Sequence, residues 1–180
     1  MIKLSYFTRS DFKQLINWID SPEFLLQWGG PAFEYPLTES QLTTYLANAN
    51  HDEADKYVYK VLHKETGKVI GHISLGNVDR KHKSARVGKV LVGNKDVRGQ
   101  GIGQQMLKEV LKIAFGELNL HRVSLGVFDF NVSAINCYEK VGFKKEGVLR
   151  DSRRIGNTYW SSLEMSMLEN EWAEWRSLHT

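Results

Sequence analysis

The chain has 180 residues, 42% of them hydrophobic, a length that suits a single domain spanning residues 1–180 with one substantial core. Its 24 basic and 21 acidic residues give a net charge of +3, far from the basic bias of a nucleic-acid-binding chain. The lone cysteine, Cys137, excludes an internal disulfide and favours a reducing compartment, so we expect a cytoplasmic protein. The sequence has neither a signal-peptide pattern nor about 18 consecutive apolar residues, so we expect no membrane association.

The first part of the chain predicts a strand followed by helices on either side of an irregular arm. Residues 2–8 alternate as a strand does, and helical spacing of apolar residues begins at Phe12. Prolines and glycines interrupt residues 21–37, which leaves room for a short helix over residues 24–28. Thr38 and Gln41 have the spacing of a helix cap, so a second helix is predicted over residues 39–49.

The remainder predicts a meander of strands and then alternating strands and helices. The predicted strands are residues 56–63, 68–75, 85–92, 121–128, 143–149 and 158–168. The predicted helices are residues 102–118, 131–141 and a closing helix over residues 169–180. We expect an α/β (α+β) domain with a mixed, mostly antiparallel sheet of six or seven strands and helices on both faces. The polar segment 150–157 should connect the last two strands, and an exposed edge at residues 158–168 would suit a homodimer.

A glycine-rich segment, residues 98–103, precedes the helix predicted over residues 102–118. Gly99, Gly101 and Gly103 allow a tight turn whose bare N–H groups lie at a helix N-terminus, which is a phosphate-binding arrangement. A loop that binds a nucleoside triphosphate is disfavoured because Gly103 is followed by glutamines rather than by lysine and then serine or threonine. Dinucleotide binding stays open because Glu117 lies near the required acidic position, although the glycine spacing differs. A purely structural turn is the other alternative.

The segment from Asn131 to Phe143 supplies a second motif. Asn131 and Tyr138 are seven residues apart, about two helical turns, so both side chains can touch one elongated ligand. Together with Arg98, Gly101 and Gly103, this motif resembles the signatures of the GNAT N-acetyltransferase family. Trp18, the run of residues 147–150 and residues 171–172 resemble the RimJ/RimL-like branch of that family.

The resemblance implies an acetyl-CoA-dependent N-acetyltransferase that acts by direct attack of an amine in a ternary complex. The cofactor-binding core would lie at about residues 85–145, and backbone groups at the end of the strand 85–92 would bind pantetheine. The cofactor-binding residues it implies are Leu91, Val92, Gly93, Arg98, Gly99, Gln100, Gly101, Ile102, Gly103, Asn131 and Asn136.

Tyr138 is the catalytic acid that the resemblance implies. A phenol with a pKa of about 10 stays protonated at neutral pH, and a departing thiolate, whose conjugate acid has a pKa of about 8.5, can accept its proton. An ordinary core tyrosine is the alternative. Glu164 is the predicted catalytic base, with Asp79, His72 or a water chain as alternatives. Cys137 is more typical of a buried apolar residue than of an acyl-carrying nucleophile.

The acceptor is the part of the function that the sequence leaves most open. The arm over residues 18–50 and the hairpin over residues 150–160 should select a small-molecule amine or a protein N-terminal amine. Glu23 and Glu34 could receive a cationic amine, although solvated surface carboxylates are the commoner case. The six histidines lack paired metal-ligand spacing, so no metal is predicted, and nucleic acid is a disfavoured partner. The alternative function is a noncatalytic acyl-CoA-binding or ribosome-associated module.

Overall fold

A computed structural model describes all residues 1–180 as a seven-stranded sheet packed between helices. The strands are β1 (Ile2–Tyr6), β2 (Tyr57–His63), β3 (Val69–Asp79), β4 (Ser84–Val92), β5 (Arg122–Phe128), β6 (Lys144–Ile155) and β7 (Thr158–Leu168). Their order across the sheet is β1-β2-β3-β4-β5-β7-β6, and only β4 and β5 are parallel. The predicted mixed, mostly antiparallel sheet is thus confirmed.

Six α-helices connect and cover the strands. They are α1 (Phe12–Trp18), α2 (Pro22–Gly29), α3 (Glu39–Leu46), α4 (Ile102–Leu111), α5 (Val132–Val141) and α6 (Glu169–Leu178). The predicted cap at Thr38 is present, since its hydroxyl accepts from the Gln41 amide at 3.2 Å. The helix predicted to run to residue 118 is regular only to Leu111 and continues as a π-helical turn over Lys112–Glu117. No helix combines the length and apolarity that a membrane crossing requires.

Helices cover both faces of the sheet, as predicted, and the buried apolar residues form two clusters, one on each face, rather than one core. Alternation along β2 shows the division, because Tyr57 and Tyr59 join the larger cluster whereas Val58 joins the smaller one. The larger cluster includes the buried faces of α4, α5 and α6, and the smaller one includes those of α1, α2 and α3. The N-terminal arm therefore rests on the face opposite the glycine-rich loop and its helix.

Two expectations about the last hairpin were wrong. Residues 150–155, predicted as a connection, belong to β6, and only Gly156 and Asn157 separate β6 from β7. The exposed edge is β6 rather than β7, because β7 pairs with β5 on one side and with β6 on the other. Most residues of β6 are exposed, so this strand lacks the alternation of apolar residues that would have revealed its length.

Candidate active site

The parallel strands β4 and β5 separate soon after they begin. They pair only over residues 84–86 and 122–124, whereas β4 stays paired with β3 as far as Val92 and β5 with β7 as far as Phe128. Beyond residue 86 the facing edges of β4 and β5 have no strand partner. The gap between residues 87–92 of β4 and residues 125–128 of β5 is called the wedge below. Backbone N–H and carbonyl groups at such a divergence need another partner, so the wedge is a natural place for an extended ligand that carries amides.

A bulge at Lys89 decides which groups of β4 face the wedge. Lys89 has a left-handed φ of 52°, and the register with β3 shifts between the pairs Ser74/Gly88 and His72/Leu91. The Gly93 N–H donates to the Ile70 carbonyl at 2.9 Å, on the β3 side. Hydrogen-bonding groups alternate along a strand, so those of Leu91 also face β3.

Val90 and Val92 are therefore the residues whose backbone groups face the wedge. The carbonyl of Val92 already accepts a hydrogen bond from Arg98 Nε at 3.1 Å. The prediction that Leu91 and Gly93 offer free backbone groups is wrong for the Leu91 backbone and for the Gly93 N–H, since both are directed at β3. Gly93 is small for another reason: a Cβ there would lie 2.1 Å from the indole of Trp18.

A cleft of about 320 Å³ extends from the wedge to the N-terminal arm. It is lined by α2 with the turn after it, by β4 and β5 beyond their last shared pair, by Asn131 and Tyr138, and by Leu149, Arg153, Ser162 and Glu164 from β6 and β7. Asn131 and Tyr138 were predicted to face one ligand, and both line this cleft. Glu164, the predicted base, also lines this cleft, and it lies on β7.

Asn131 and Tyr138 owe their positions to α5. The Asn131 Oδ1 accepts from the Ala134 amide at 3.3 Å and so caps the helix, while Gly142, with a φ of 110°, ends it. Tyr138 is only 7% exposed, and its hydroxyl makes no hydrogen bond to another residue. Burial, with a smaller contribution from Cys137, raises the pKa of Tyr138 above its ordinary value. The phenol of this cleft-lining residue is therefore a neutral donor.

Glu164 is held by Arg86. Arg86 Nη1 donates to Glu164 Oε2 and Nη2 donates to Oε1, each at 2.8 Å, and both side chains are partly buried. A two-bond pair of this kind fixes the carboxylate in one orientation and leaves neither oxygen without a donor. The partner of Glu164 was not foreseen from sequence, since the two residues are 78 positions apart.

Lys89 lies among aromatic rings of the arm. Its ammonium is 5.2 Å from the centre of the Tyr45 ring and 5.8 Å from that of Phe33, and its carbonyl accepts from the Trp28 indole N–H at 3.0 Å. Burial, and secondarily the charge of Lys56, lowers the pKa of Lys89. Sequence reasoning missed this residue because only its left-handed bulge directs it toward the arm.

The glycine-rich loop lies outside the cleft, before α4. Gly99 and Gly101 have left-handed φ angles of 79° and 76°, and the loop is exposed from Arg98 to Gly101. The N–H groups of residues 99–104 have no backbone acceptor, and the first such bond of the helix is that from Gln105 to the Gly101 carbonyl at 3.2 Å. Gly103 has a separate role, because a Cβ there would lie 3.3 Å from Cys137 Sγ on α5.

The acetyltransferase (GNAT) domain family matches residues 2–144. This chain belongs to the GNAT acetyltransferase family. The probable N-acetyltransferase YjcK of Bacillus subtilis is 31% identical over 143 residues, which cover 77% of this chain and 76% of the relative.

The chain is also similar to spermidine acetyltransferases of Vibrio cholerae. Spermidine N(1)-acetyltransferase is 26% identical over 165 residues, or 91% of each chain. A crystal structure of spermidine N-acetyltransferase in complex with CoA and spermine superposes with a TM-score of 0.81 at 24% identity, covering 96% of this chain and 98% of that one. The structural likeness supports the fold.

As a GNAT acetyltransferase, the protein uses acetyl-CoA as its cosubstrate. Two features of the structure fit acetyl-CoA, namely the glycine-rich loop and the edge of β4 that faces the wedge. Bare amides in the glycine-rich loop suit a diphosphate, and the unpaired edge of β4 suits the amides of pantetheine. The dinucleotide alternative for the loop is thereby set aside.

Other residues singled out in the sequence of this GNAT protein lie away from the cleft. Asn136 is exposed on α5 and does not line the cleft. Asp79, at the far end of β3, accepts from the amide and the Nδ1 of His82 at 2.9 Å each. Cys137 packs between α4 and α5, and burial raises the pKa of its thiol. No group of three or more His, Cys, Asp and Glu side chains is arranged to hold a metal.

His72 is also unsuited to accept a proton from a substrate. It is 1% exposed, its Nε2 lies 3.0 Å from the Tyr45 hydroxyl, and it does not line the cleft. Burial, helped by the nearby charge of Lys89, lowers the pKa of His72 to about 3. Of the carboxylate and histidine side chains considered as bases, only Glu164 reaches the cleft of this GNAT protein.

Proposed function

We propose that this enzyme transfers the acetyl group of acetyl-CoA directly to a primary amine within a ternary complex, with Tyr138 as the general acid. The observation that carries the proposal is the position of the Tyr138 hydroxyl, which has no protein partner and lines the cleft that begins where β4 and β5 separate. A thioester bound along that edge of β4 would have a protonated phenol beside it.

The chemistry requires a neutral amine to attack the thioester carbonyl carbon. The carbon–sulfur bond then breaks, and the sulfur takes the proton of the Tyr138 hydroxyl as it leaves. The raised pKa of Tyr138 keeps the phenol protonated at any pH where the enzyme would work. Because a thiolate is a weaker base than a phenolate, the proton moves as the carbon–sulfur bond breaks and negative charge develops on the sulfur, rather than being driven by a difference in pKa. Solvent would return the proton to Tyr138 after CoA departs.

Glu164 is our candidate for the group that receives the proton of the attacking amine, directly or through water. It is the one carboxylate that lines the cleft. Both of its oxygens accept hydrogen bonds from Arg86, so accepting a proton requires one of those bonds to lengthen. An α-amino group, with a pKa of about 8, has a larger neutral fraction near neutral pH than a lysine side chain and so demands less of this base.

For the cofactor we propose Arg98, Gly99, Gln100, Gly101, Ile102 and Gly103 at the diphosphate, and Val92 with Asn131 along the pantetheine. Asn136 is a more peripheral proposal because it is exposed on α5.

We also propose that the protein belongs to the RimJ/RimL-like branch, that it is cytoplasmic, and that it forms a homodimer through the exposed edge strand β6. The acceptor is a small-molecule amine or a protein N-terminal amine.

The direct test is release of free thiol from acetyl-CoA in the presence of a panel of amines. Spermidine, an aminoglycoside and peptides with free N-termini sample the chemical classes, and N-terminally blocked peptides are the matched controls. We expect amine-dependent release with at least one class and acetylated amine as the product by mass. Absence of release with every amine would favour the noncatalytic acyl-CoA-binding module.

A further inference from the structure

Four charged side chains line the cleft, and their charges do not cancel. They are Arg86, Lys89 and Arg153, which are cationic, and Glu164, the only carboxylate. Since Arg86 bonds both oxygens of Glu164, this pair neutralises itself. The charge left facing the cleft comes from Lys89 and Arg153.

Neither of these two cations has an acidic partner. The ion pairs of the protein do not include Lys89, whose ammonium lies over the faces of Tyr45 and Phe33. Arg153 donates to the carbonyl of the neighbouring Ser152 at 2.8 Å and to no carboxylate. A largely buried ammonium without a counterion is costly, and an anion bound in the cleft would offset that cost.

The two cations are on the acceptor side of the cleft rather than beside the diphosphate loop. Lys89 packs against side chains of the arm, and Arg153 lies on β6, whereas the bare amides of residues 99–104 precede α4 on the other face of the sheet. The four carboxylates of the arm do not line the cleft; they are Asp20, Glu23, Glu34 and Glu39. A polyamine, which carries several positive charges, would meet no free carboxylate there.

We propose that the acceptor is a small primary amine that also carries a carboxylate, of the amino-acid class, and that Lys89 and Arg153 bind this carboxylate. The inference rests on the proposed acetyl transfer and names its substrate class. Loss of a charged hydrogen-bond partner should weaken acceptor binding about tenfold or more.

The experiment compares amino acids with their carboxamides in the thiol-release assay. Each pair differs in the carboxylate, and because the carboxamide also has a lower amine pKa, rates are compared at a pH above the pKa of both amines. Spermidine represents amines without a carboxylate. We expect kcat/KM for the best amino acid to exceed that of its carboxamide about tenfold or more and to exceed that of spermidine. Equal rates within each pair, or a preference for spermidine, would overturn the inference while leaving acetyl transfer intact. Absence of thiol release with every amine would instead refute the proposed function.

Variants locate the carboxylate site. Lys89→Gln and Arg153→Gln should each raise the KM for the amino acid and reduce its advantage over the carboxamide, with the KM for acetyl-CoA unchanged. Lys81→Gln, in an exposed loop without an ion pair, is the control and should change neither value. Arg153 is exposed, so its variant tests the site even if the buried Lys89 proves necessary for folding. A rise confined to the KM for acetyl-CoA would assign these cations to the cofactor and contradict the proposal.

Discussion

Arg86 on β4 and Glu164 on β7 are joined by two hydrogen bonds of 2.8 Å that pass over the intervening strand β5. The residue of β5 beneath them is Gly126, where a Cβ would lie 2.6 Å from Arg86 Nη2 and 3.1 Å from Glu164 Oε1. The absence of a side chain at this position therefore permits the ion pair. The pair in turn fixes the only carboxylate of the cleft.

Gly126→Ala should separate Arg86 from Glu164 with little loss of stability. The added methyl group meets the ends of two flexible side chains rather than the backbone, so the cost of relief is small. We expect a clear loss of kcat with a change in unfolding free energy within about 1 kcal/mol. Gly76→Ala on β3, where a Cβ meets nothing within 4 Å, is the control. Equal activity of the two variants would show that the pair is dispensable for catalysis.

Glu164→Gln tests whether the carboxylate accepts the proton of the amine. As a general base it would be worth about 10²-fold or more in kcat/KM near neutral pH, and the deficit should shrink as hydroxide replaces it at higher pH. Arg86→Gln breaks the same ion pair but leaves the carboxylate, so its deficit should be independent of pH. Rates from pH 6.5 to 9.5 give both profiles, and parallel profiles would reduce Glu164 to a positioning role.

Tyr138→Phe should lower kcat about 10²- to 10⁴-fold while leaving the KM for acetyl-CoA unchanged, because only the proton donor is removed. Tyr59→Phe is the matched control: Tyr59 is 6% exposed and Tyr138 7%, but Tyr59 lies outside the cleft. The raised pKa of Tyr138 adds a second expectation. Activity depends on the protonated phenol, so the wild-type rate should show no loss from its ionisation below about pH 10. Unchanged turnover in the variant would remove Tyr138 from the mechanism.

Gly101→Ala should weaken acetyl-CoA binding by altering the bare amides before α4. Gly101 has a φ of 76° and Gly67, in the turn between β2 and β3, has a φ of 70°, and a Cβ at either meets nothing within 4 Å. Alanine at each should thus cost a similar amount, about 1–2 kcal/mol of stability. Only the variant at residue 101 should raise the dissociation constant for CoA, by about tenfold if one charged hydrogen bond is lost. Calorimetric titration checks this, and equal affinities in the two variants would place the diphosphate elsewhere.

The contrast between the glycine-rich loop and the Arg86–Glu164 pair shows what the sequence could reveal. The loop and the spacing from Asn131 to Tyr138 are local, since turn and helix geometry alone bring their groups together. Arg86 and Glu164 meet only because β7 pairs with β5 on the side away from β4, an order that no short segment encodes. The tertiary pairing of strands therefore had to be known before the ion pair could be found.

The bulge at Lys89 and the edge strand β6 escaped prediction for a different reason. A lysine with a left-handed φ inside a strand has no signature in the neighbouring sequence. Its bulge nevertheless determines that the backbone groups of Val90, rather than those of Leu91, face the wedge. In β6 most side chains are exposed, so the apolar alternation that identified the other strands is absent. Both features depend on packing against other elements rather than on local preference.

The buried, neutral His72 should make the free energy of unfolding depend on pH. Its pKa is about 3 in the folded protein but near 6.5 in an unfolded chain, so below about pH 6.5 the unfolded state binds a proton that the folded state does not. Stability conferred by neutral His72 is thus complete above pH 6.5 and is lost as the pH falls toward 3. Between pH 7.5 and pH 5.0 this group should contribute a loss of about 2 kcal/mol, at about 1.4 kcal/mol per pH unit.

Urea unfolding of His72→Gln at the two pH values isolates that contribution. The variant is expected to be less stable at both values, but its loss between them should be smaller than that of the wild type by about 2 kcal/mol. His51→Gln removes an exposed histidine and should retain the full wild-type loss. If the two variants lose the same amount between pH 7.5 and pH 5.0, His72 is not held neutral in the folded protein.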